Sequence, residues 1–185
     1  MKQMAKKVLH LLFREYSIYD IYACGTAAEV PPRSERSAAF SVREVGVAEL
    51  AASSDAQIAE QSGYLGEEAR AFACFDGSRI VGVCFYWYGG RYLKRNFWPL
   101  EARQAKLVHI MTLPEMRGRE VATTLVAESG KAMGAHGFER NYARIWHSNT
   151  PSIRAFTRAG WQRVATVIEL EPAAIRRKFR FSFRR

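Results

Sequence analysis

The 185-residue chain has no apolar run near the ~20 residues that a membrane-spanning helix needs, so no transmembrane segment is expected. Its opening stretch, MKQMAKKVLHLLFREYSIYD, is interrupted by His10, Arg14 and Glu15 and offers no small-residue cleavage site, so it does not read as a secretory signal. Cysteine is scarce. Cys24, Cys74 and Cys84 form neither a CxxC pair nor an even set, so a disulfide framework is excluded and reduced core thiols in a cytoplasmic protein are expected. The four histidines, His10, His109, His136 and His147, are far apart without HxxxH or HxH spacing, and no metal site is expected. Acidic residues are outnumbered, 18 against 28 basic ones, for a net charge of +10.

That excess gathers at the ends, in Lys2, Lys6 and Lys7 and in Arg176, Arg177, Lys178, Arg180, Arg184 and Arg185. Such a field suits nucleic acid, an anionic membrane surface touched peripherally, an anionic cofactor, or plain solubility. Basic and aromatic residues also alternate from Tyr92 to Trp98, but no nucleic-acid motif accompanies them, so no specific nucleic-acid partner is expected. Exposed aromatics on the terminal arms would be compatible with a homodimer.

What is present is globular: 48% apolar and 12% aromatic residues in a chain long enough to bury roughly two-thirds of its unfolded surface. Leu9, Leu12, Phe13, Tyr16 and Tyr19 fall at helical spacing, which predicts an amphipathic helix over residues 7–22. Thr26 to Ser37, with Pro31-Pro32, reads as a linker. Residues 1–37 are thus expected to be a helical arm and linker, and 38–185 one α/β domain with a mixed, mostly antiparallel sheet flanked by helices. Within it, FSVREV from Phe40 predicts a strand, Val47 to Gln61 a helix, and Ala71–Phe75 with Ile80–Tyr88 a hairpin about Asp76-Gly77. The second hairpin strand is apolar on both faces and is therefore central. Residues 89–106 read as loop. Strands are expected at Lys106–Thr112, Arg140–Trp146 and Trp161–Leu170. Helices are expected at Gly118–Met133, stopped by Gly134 and Gly137, and at Pro151–Arg158, capped by Asn149 or Thr150. Phe179, Phe181 and Phe183 alternate with polar residues, predicting a last strand.

One segment carries chemistry: HIMTLPEMRGREVATTLVAES, His109 to Ser129. A strand runs into a short basic loop that opens onto a helix. Unpaired amides and the positive end of the helix dipole then converge on one point, where a phosphate or diphosphate is the natural guest, with Arg117 and Arg119 adding charge.

At these residues the chain resembles the GNAT acetyltransferase superfamily, whose cofactor signature is (Gln/Arg)-x-x-Gly-x-(Gly/Ala). The match is Arg117-Gly118-Arg119-Glu120-Val121-Ala122, preceded by Thr112-Leu113-Pro114, with a second motif downstream in Asn149, Ser152, Phe156 and Gly160-Trp161. The resemblance covers about Phe40 to Leu170. It implies acetyl-coenzyme A as co-substrate and an amine, on a small molecule or a peptide, as acceptor. It also implies pantetheine against Ile110, Met111 and Thr112, diphosphate on the amides of Arg117 to Thr123, and contacts from Asn149, Ser152 and Phe156. The strands at Thr112 and at Arg140–Trp146 would splay to make the acyl slot.

Three positions depart from the family. Glu120 stands where the signature has glycine, adding bulk and negative charge unless it turns outward or pairs with Arg117 or Arg119. Phe156 replaces a tyrosine that protonates the leaving thiolate in many members. Arg144 occupies the place of a catalytic glutamate, which points to a carboxylate or phosphate on the acceptor. His147 and His109 are the remaining candidate bases. The competing readings are a GNAT-fold module that has lost cofactor binding or chemistry, motivated by Glu120 and Phe156, and a basic nucleic-acid-binding protein.

Overall fold

The computed structural model of the chain describes residues 13–26, 34–173, 175 and 177–184. The linker prolines and several of the terminal basic residues (Lys2, Lys6, Lys7, Arg176 and Arg185) lie outside the described residues. In chain order the main elements are β1 (Phe13–Gly25), β2 (Phe40–Val45), α1 (Val47–Ala51), α2 (Ala56–Ala59), β3 (Ala69–Asp76), β4 (Arg79–Trp87) and α3 (Gly89–Tyr92). They continue with β5 (Gln104–Thr112), α4 (Val121–Ala135), β6 (Arg140–Trp146), α5 (Thr150–Arg158), β7 (Gln162–Pro172) and β8 (Phe179–Arg184). The strands make one eight-stranded sheet in the order β2-β3-β4-β5-β6-β1-β7-β8. Only β5 and β6 pair in parallel; all other neighbours are antiparallel.

The helix predicted over residues 7–22 is corrected: residues 13–25 form β1. Helical spacing of five apolar side chains was a weaker signal than the run Ser17-Ile18-Tyr19-Asp20-Ile21-Tyr22, rich in β-branched and aromatic residues suited to a strand. β1 lies between β6 and β7 with Tyr19, Ile21, Tyr22 and Ala23 buried, so both of its faces are covered. Residues 13–25 therefore belong to the sheet of the main body rather than to an arm. The predicted helix at 47–61 is broken as well, into α1, α2 and a 3-10 segment Glu60–Tyr64. The loop at 89–106 contains α3 and a further 3-10 turn, Leu93–Arg95.

The hairpin is as expected. Gly77 takes the left-handed φ of 59° that a two-residue turn requires, and β4 is buried along nearly its whole length. The helix α4 covers one face of the sheet through Val121, Leu125, Val126, Ser129 and Met133. Ser129 Oγ lies 2.9 Å from Tyr86 Oη and accepts from Cys84 Sγ at 3.4 Å, which satisfies three buried polar groups together. Ala122 is half-buried and lines a cavity. Gly137, not Gly134, ends α4: its φ is 85°, and Phe138 N and Gly137 N return to Met133 O and Gly134 O.

Candidate active site

The sequence Thr112-Leu113-Pro114 ends β5, a 3-10 turn spans Pro114–Met116, and the chain then enters α4. Two left-handed residues make the entry, Gly118 at φ 78° and Glu120 at φ 66°. Glu120 O accepts from Thr124 N at 2.9 Å, so the helix begins there, and the amides of its first turn have no intrahelical acceptor. Gly82 on β4 lets this helix start rest close to the sheet. A Cβ there would lie 2.8 Å from Val121 Cγ1 and 3.1 Å from Met111 O. The second helix bordering the site is capped by Asn149, whose Oδ1 accepts from Ser152 N at 3.2 Å. Trp161 N and Gly160 N close its far end on Phe156 O and Thr157 O.

A cavity of about 680 Å³ opens between these parts. Around it the structure gathers Ile110, Met111 and Thr112 from β5; Arg117, Gly118 and Glu120 from the loop; Val121, Ala122 and Thr123 from α4; and Asn149, Ser152 and Phe156 from the α5 segment. Of the sequence-predicted cofactor positions only Arg119 is outside this lining; its Nη1 donates to Met116 Sδ at 3.4 Å. Two arginines that sequence reasoning passed over, Arg154 and Arg158, also line the cavity. Their spacing of four on α5 was the available signal, since it puts both on one helix face. Phe156 is buried edge-on to Trp161, with ring centroids 5.0 Å apart, and tilted against Tyr22.

Of the two outcomes open to Glu120, turning outward or pairing with Arg117 or Arg119, the second is not what its contacts show. Its carboxylate accepts from Ser34 Oγ and lies 3.9 Å from Arg158 Nη1. The acidic side chain is thereby tied at the cavity edge between residue 34 and α5.

The parallel pairing of β5 with β6 runs only from Gln104↔Arg140 to Leu107↔Ala143. Beyond it the strands part, and among the described residues one edge of β5 has no strand partner. A bulge at Val108 coincides with the parting: β4 Phe85 pairs with His109 and Tyr86 with Leu107, so Val108 is the extra residue. By strand alternation Ile110 and Thr112 face α4. Arg144 and Trp146 pair with Ile21 and Tyr19 and face the opposite side.

On that opposite side lies a second cavity of about 560 Å³, lined by Lys94, Asn96, Phe97, Leu107, Val108, Arg144 and Trp146. The guanidinium of Arg144 is 5.2 Å from the ring centre of Tyr19, 5.4 Å from that of Phe97 and 5.2 Å from that of Trp146. Beneath the loop is the fully buried Lys106, whose Nζ donates to Tyr92 Oη and Trp98 O and lies 3.6 Å from the Phe97 ring centre. Burial, reinforced by the charges of Arg180 and Arg144, pulls its pKa down to about 6. Tyr19 is pushed up to about 12 by burial and by its 2.8 Å hydrogen bond to Glu169.

Neither predicted histidine lines either cavity. His109 stacks on Tyr64, centroids 4.5 Å apart, and on Phe85 at 6.1 Å. His147 is exposed in the turn after β6, its amide donating to Ile18 O at 3.2 Å. Of the three proposed catalytic residues the structure brings only Arg144 to a cavity.

The molecule is therefore an α/β protein whose sheet opens between two parallel strands, with a helix start and a cationic cavity on one side of the opening. Residues 35–161 match the acetyltransferase (GNAT) family, and the chain belongs to that family. Solved structures of the same fold include a GNAT-family acetyltransferase from Colwellia psychrerythraea (TM-score 0.60, 14% identity, 91% of this chain and 61% of that one). A GNAT N-acetyltransferase from Sphaerobacter thermophilus is similar (0.56, 15%, covering 100% and 57%), as is one from Kribbella flavida (0.55, 10%, covering 92% and 64%). This chain spans under two thirds of the length of each of these structures. No curated protein matches it by sequence.

Proposed function

We propose that the chain transfers an acetyl group from acetyl-coenzyme A to an amine on a small molecule or a peptide, by direct attack at the gap between β5 and β6. One observation carries this reading: the cavity at the start of α4, where open first-turn amides meet Arg117, Arg154 and Arg158. Those groups suit the phosphates of coenzyme A, and the unpartnered edge of β5 beyond Leu107 suits its amide-bearing arm. The neutral amine nitrogen attacks the thioester carbon, the C–S bond breaks, and the thiolate leaves with the electron pair. The attacking nitrogen gives its surplus proton to solvent, which leaves a neutral amide. An amine attacks only as its free base, and among the described residues no histidine or carboxylate lines the second cavity. Phe156 has no proton to give, but a thiol pKa of ~8.5 makes the thiolate an acceptable leaving group. A cytoplasmic setting fits the three free cysteines, and Phe181 and Phe183, exposed on the edge strand β8, are the basis for a homodimer.

Calorimetric titration with coenzyme A and acetyl-coenzyme A tests the reading. Saturable binding is expected, with a thermal stabilisation of ~2.7 kcal/mol at 100 times the dissociation constant. No heat at millimolar cofactor would overturn it. The position of Glu120 favours a second reading, a module that keeps the fold without the chemistry. Cofactor binding without thiol release from any amine would select it.

A further inference from the structure

The cavity on the far side of the gap has an electrostatic character that the transfer reaction alone does not require. Among the described residues its lining contains two cations, Lys94 and Arg144, and no acid. Three aromatic rings surround the Arg144 guanidinium. Rings hold a cation by their quadrupoles and orient it without neutralising it, so its N–H groups stay available to an anion. Two carboxylates of the neighbouring strands, Asp20 and Glu169, are engaged elsewhere. Asp20 accepts from Thr166 Oγ1 at 2.6 Å and lies 3.7 Å from Arg163. Glu169 accepts from Tyr19 Oη and Ser17 Oγ and lies 3.6 Å from Arg180. Arg180 in turn donates to Phe97 O, adding a third cation behind the wall.

The neighbouring buried amine reports the same field. Burial first, and then the charges of Arg180 and Arg144, lower the Lys106 pKa to about 6. A fold that leaves a fixed, exposed guanidinium unpaired in a pocket beside a reaction gap has prepared it for a ligand's negative charge.

We propose that this cavity is the acceptor subsite and that Arg144 binds a carboxylate or phosphate carried by the amine substrate. The proposal rests on the acetyl-transfer reading for the identity of the amine but not for the anion. Lys94, also on the lining, supplies long-range attraction, and Phe97 and Trp146 hold the guanidinium in register. The preferred acceptors are therefore amino acids, amino-acid-like compounds or amino phosphates rather than neutral amines.

Matched pairs test this on the full chain: O-phosphoethanolamine against ethanolamine, and β-alanine against β-alaninamide. Each is titrated calorimetrically with and without coenzyme A, and thiol release from acetyl-coenzyme A is followed in parallel. The acid-bearing member of at least one pair should bind about tenfold tighter than its neutral twin, as expected for a charge-assisted hydrogen bond. The pair that discriminates identifies phosphate or carboxylate as the anion. Arg144→Gln should erase the difference and Lys94→Gln should shrink it, with circular dichroism melting to verify that both variants fold. Equal affinity within both pairs, or a preference that survives in folded Arg144→Gln, would overturn the proposal. Failure of coenzyme A itself to bind would strike the acetyl-transfer reading instead, because the anion preference is read without cofactor too.

Discussion

The two cavities border one gap from opposite faces, yet they are made of different material. The wall on the α4 side is largely main chain: a helix start, a strand edge and left-handed loop residues, with arginines added around them. On the opposite side the wall is side chain, a loop from residue 89 onward laid over Arg144, Trp146 and the buried Lys106. Main-chain donors depend on the fold and tolerate sequence change, whereas side-chain walls can change with each substitution. The first cavity is thus the one a family signature can find, and the second is where an individual protein's preference resides.

Perturbing the first wall should have the largest effect. Gly82→Val places a branched side chain against Val121 and Met111 O, which forces the start of α4 off the sheet. A loss of about 2–3 kcal/mol in denaturant melts is expected from such overpacking. Weakened coenzyme A binding should accompany it while the anion preference at the other wall persists. Equal damage to both sites would show that the walls are not separable.

The second wall is sharpened by pH. Lys106 is depressed to about 6 in the native state from an ordinary value of 10.5. Between those values the unfolded chain carries a proton that the native chain lacks, so this residue makes stability rise with pH. The slope is about 1.4 kcal/mol per pH unit, and the penalty of burying the amine is full below about pH 6. Arg180 and Arg144 lower the value, and Tyr92 Oη and Trp98 O receive the amine's hydrogens. Urea melts of wild type and Lys106→Met from pH 6.5 to 7.5 should diverge by that slope. Parallel curves would mean the amine is charged in the fold.

The smallest expected effect returns to the first wall. Glu120→Gly removes a non-glycine residue from left-handed backbone and a carboxylate from the cavity edge. Coenzyme A affinity should rise about fivefold, equivalent to ~1 kcal/mol. Unchanged affinity would show that Ser34 and Arg158 already hold the side chain clear.

What could be read beforehand follows the same division. The Arg117–Ala122 signature, the hairpin at Gly77 and the cap at Asn149 are local patterns, and each names its own conformation. Residues 13–25 carry two competing local patterns, helical spacing and the strand-suited run Ser17–Tyr22, and the partners that decide between them lie more than 100 positions away. Arg154 and Arg158 were hidden for another reason: basic residues on an exposed helix face look alike until a cavity singles some out. His109 and His147 are the converse case: the sequence offers them as reactive types beside a motif, and the fold places one against Tyr64 and Phe85 and the other exposed after β6.

The placement of β1 has a consequence for how the molecule is made. Its two neighbours, β6 and β7, are synthesised well over a hundred residues after it, so during translation it waits with both hydrogen-bonding edges open. Closing the sheet around it requires very long chain loops, which slows folding and exposes a sticky strand meanwhile. Assembly of the C-terminal half is thus tied to a segment lying outside the family-matched residues 35–161.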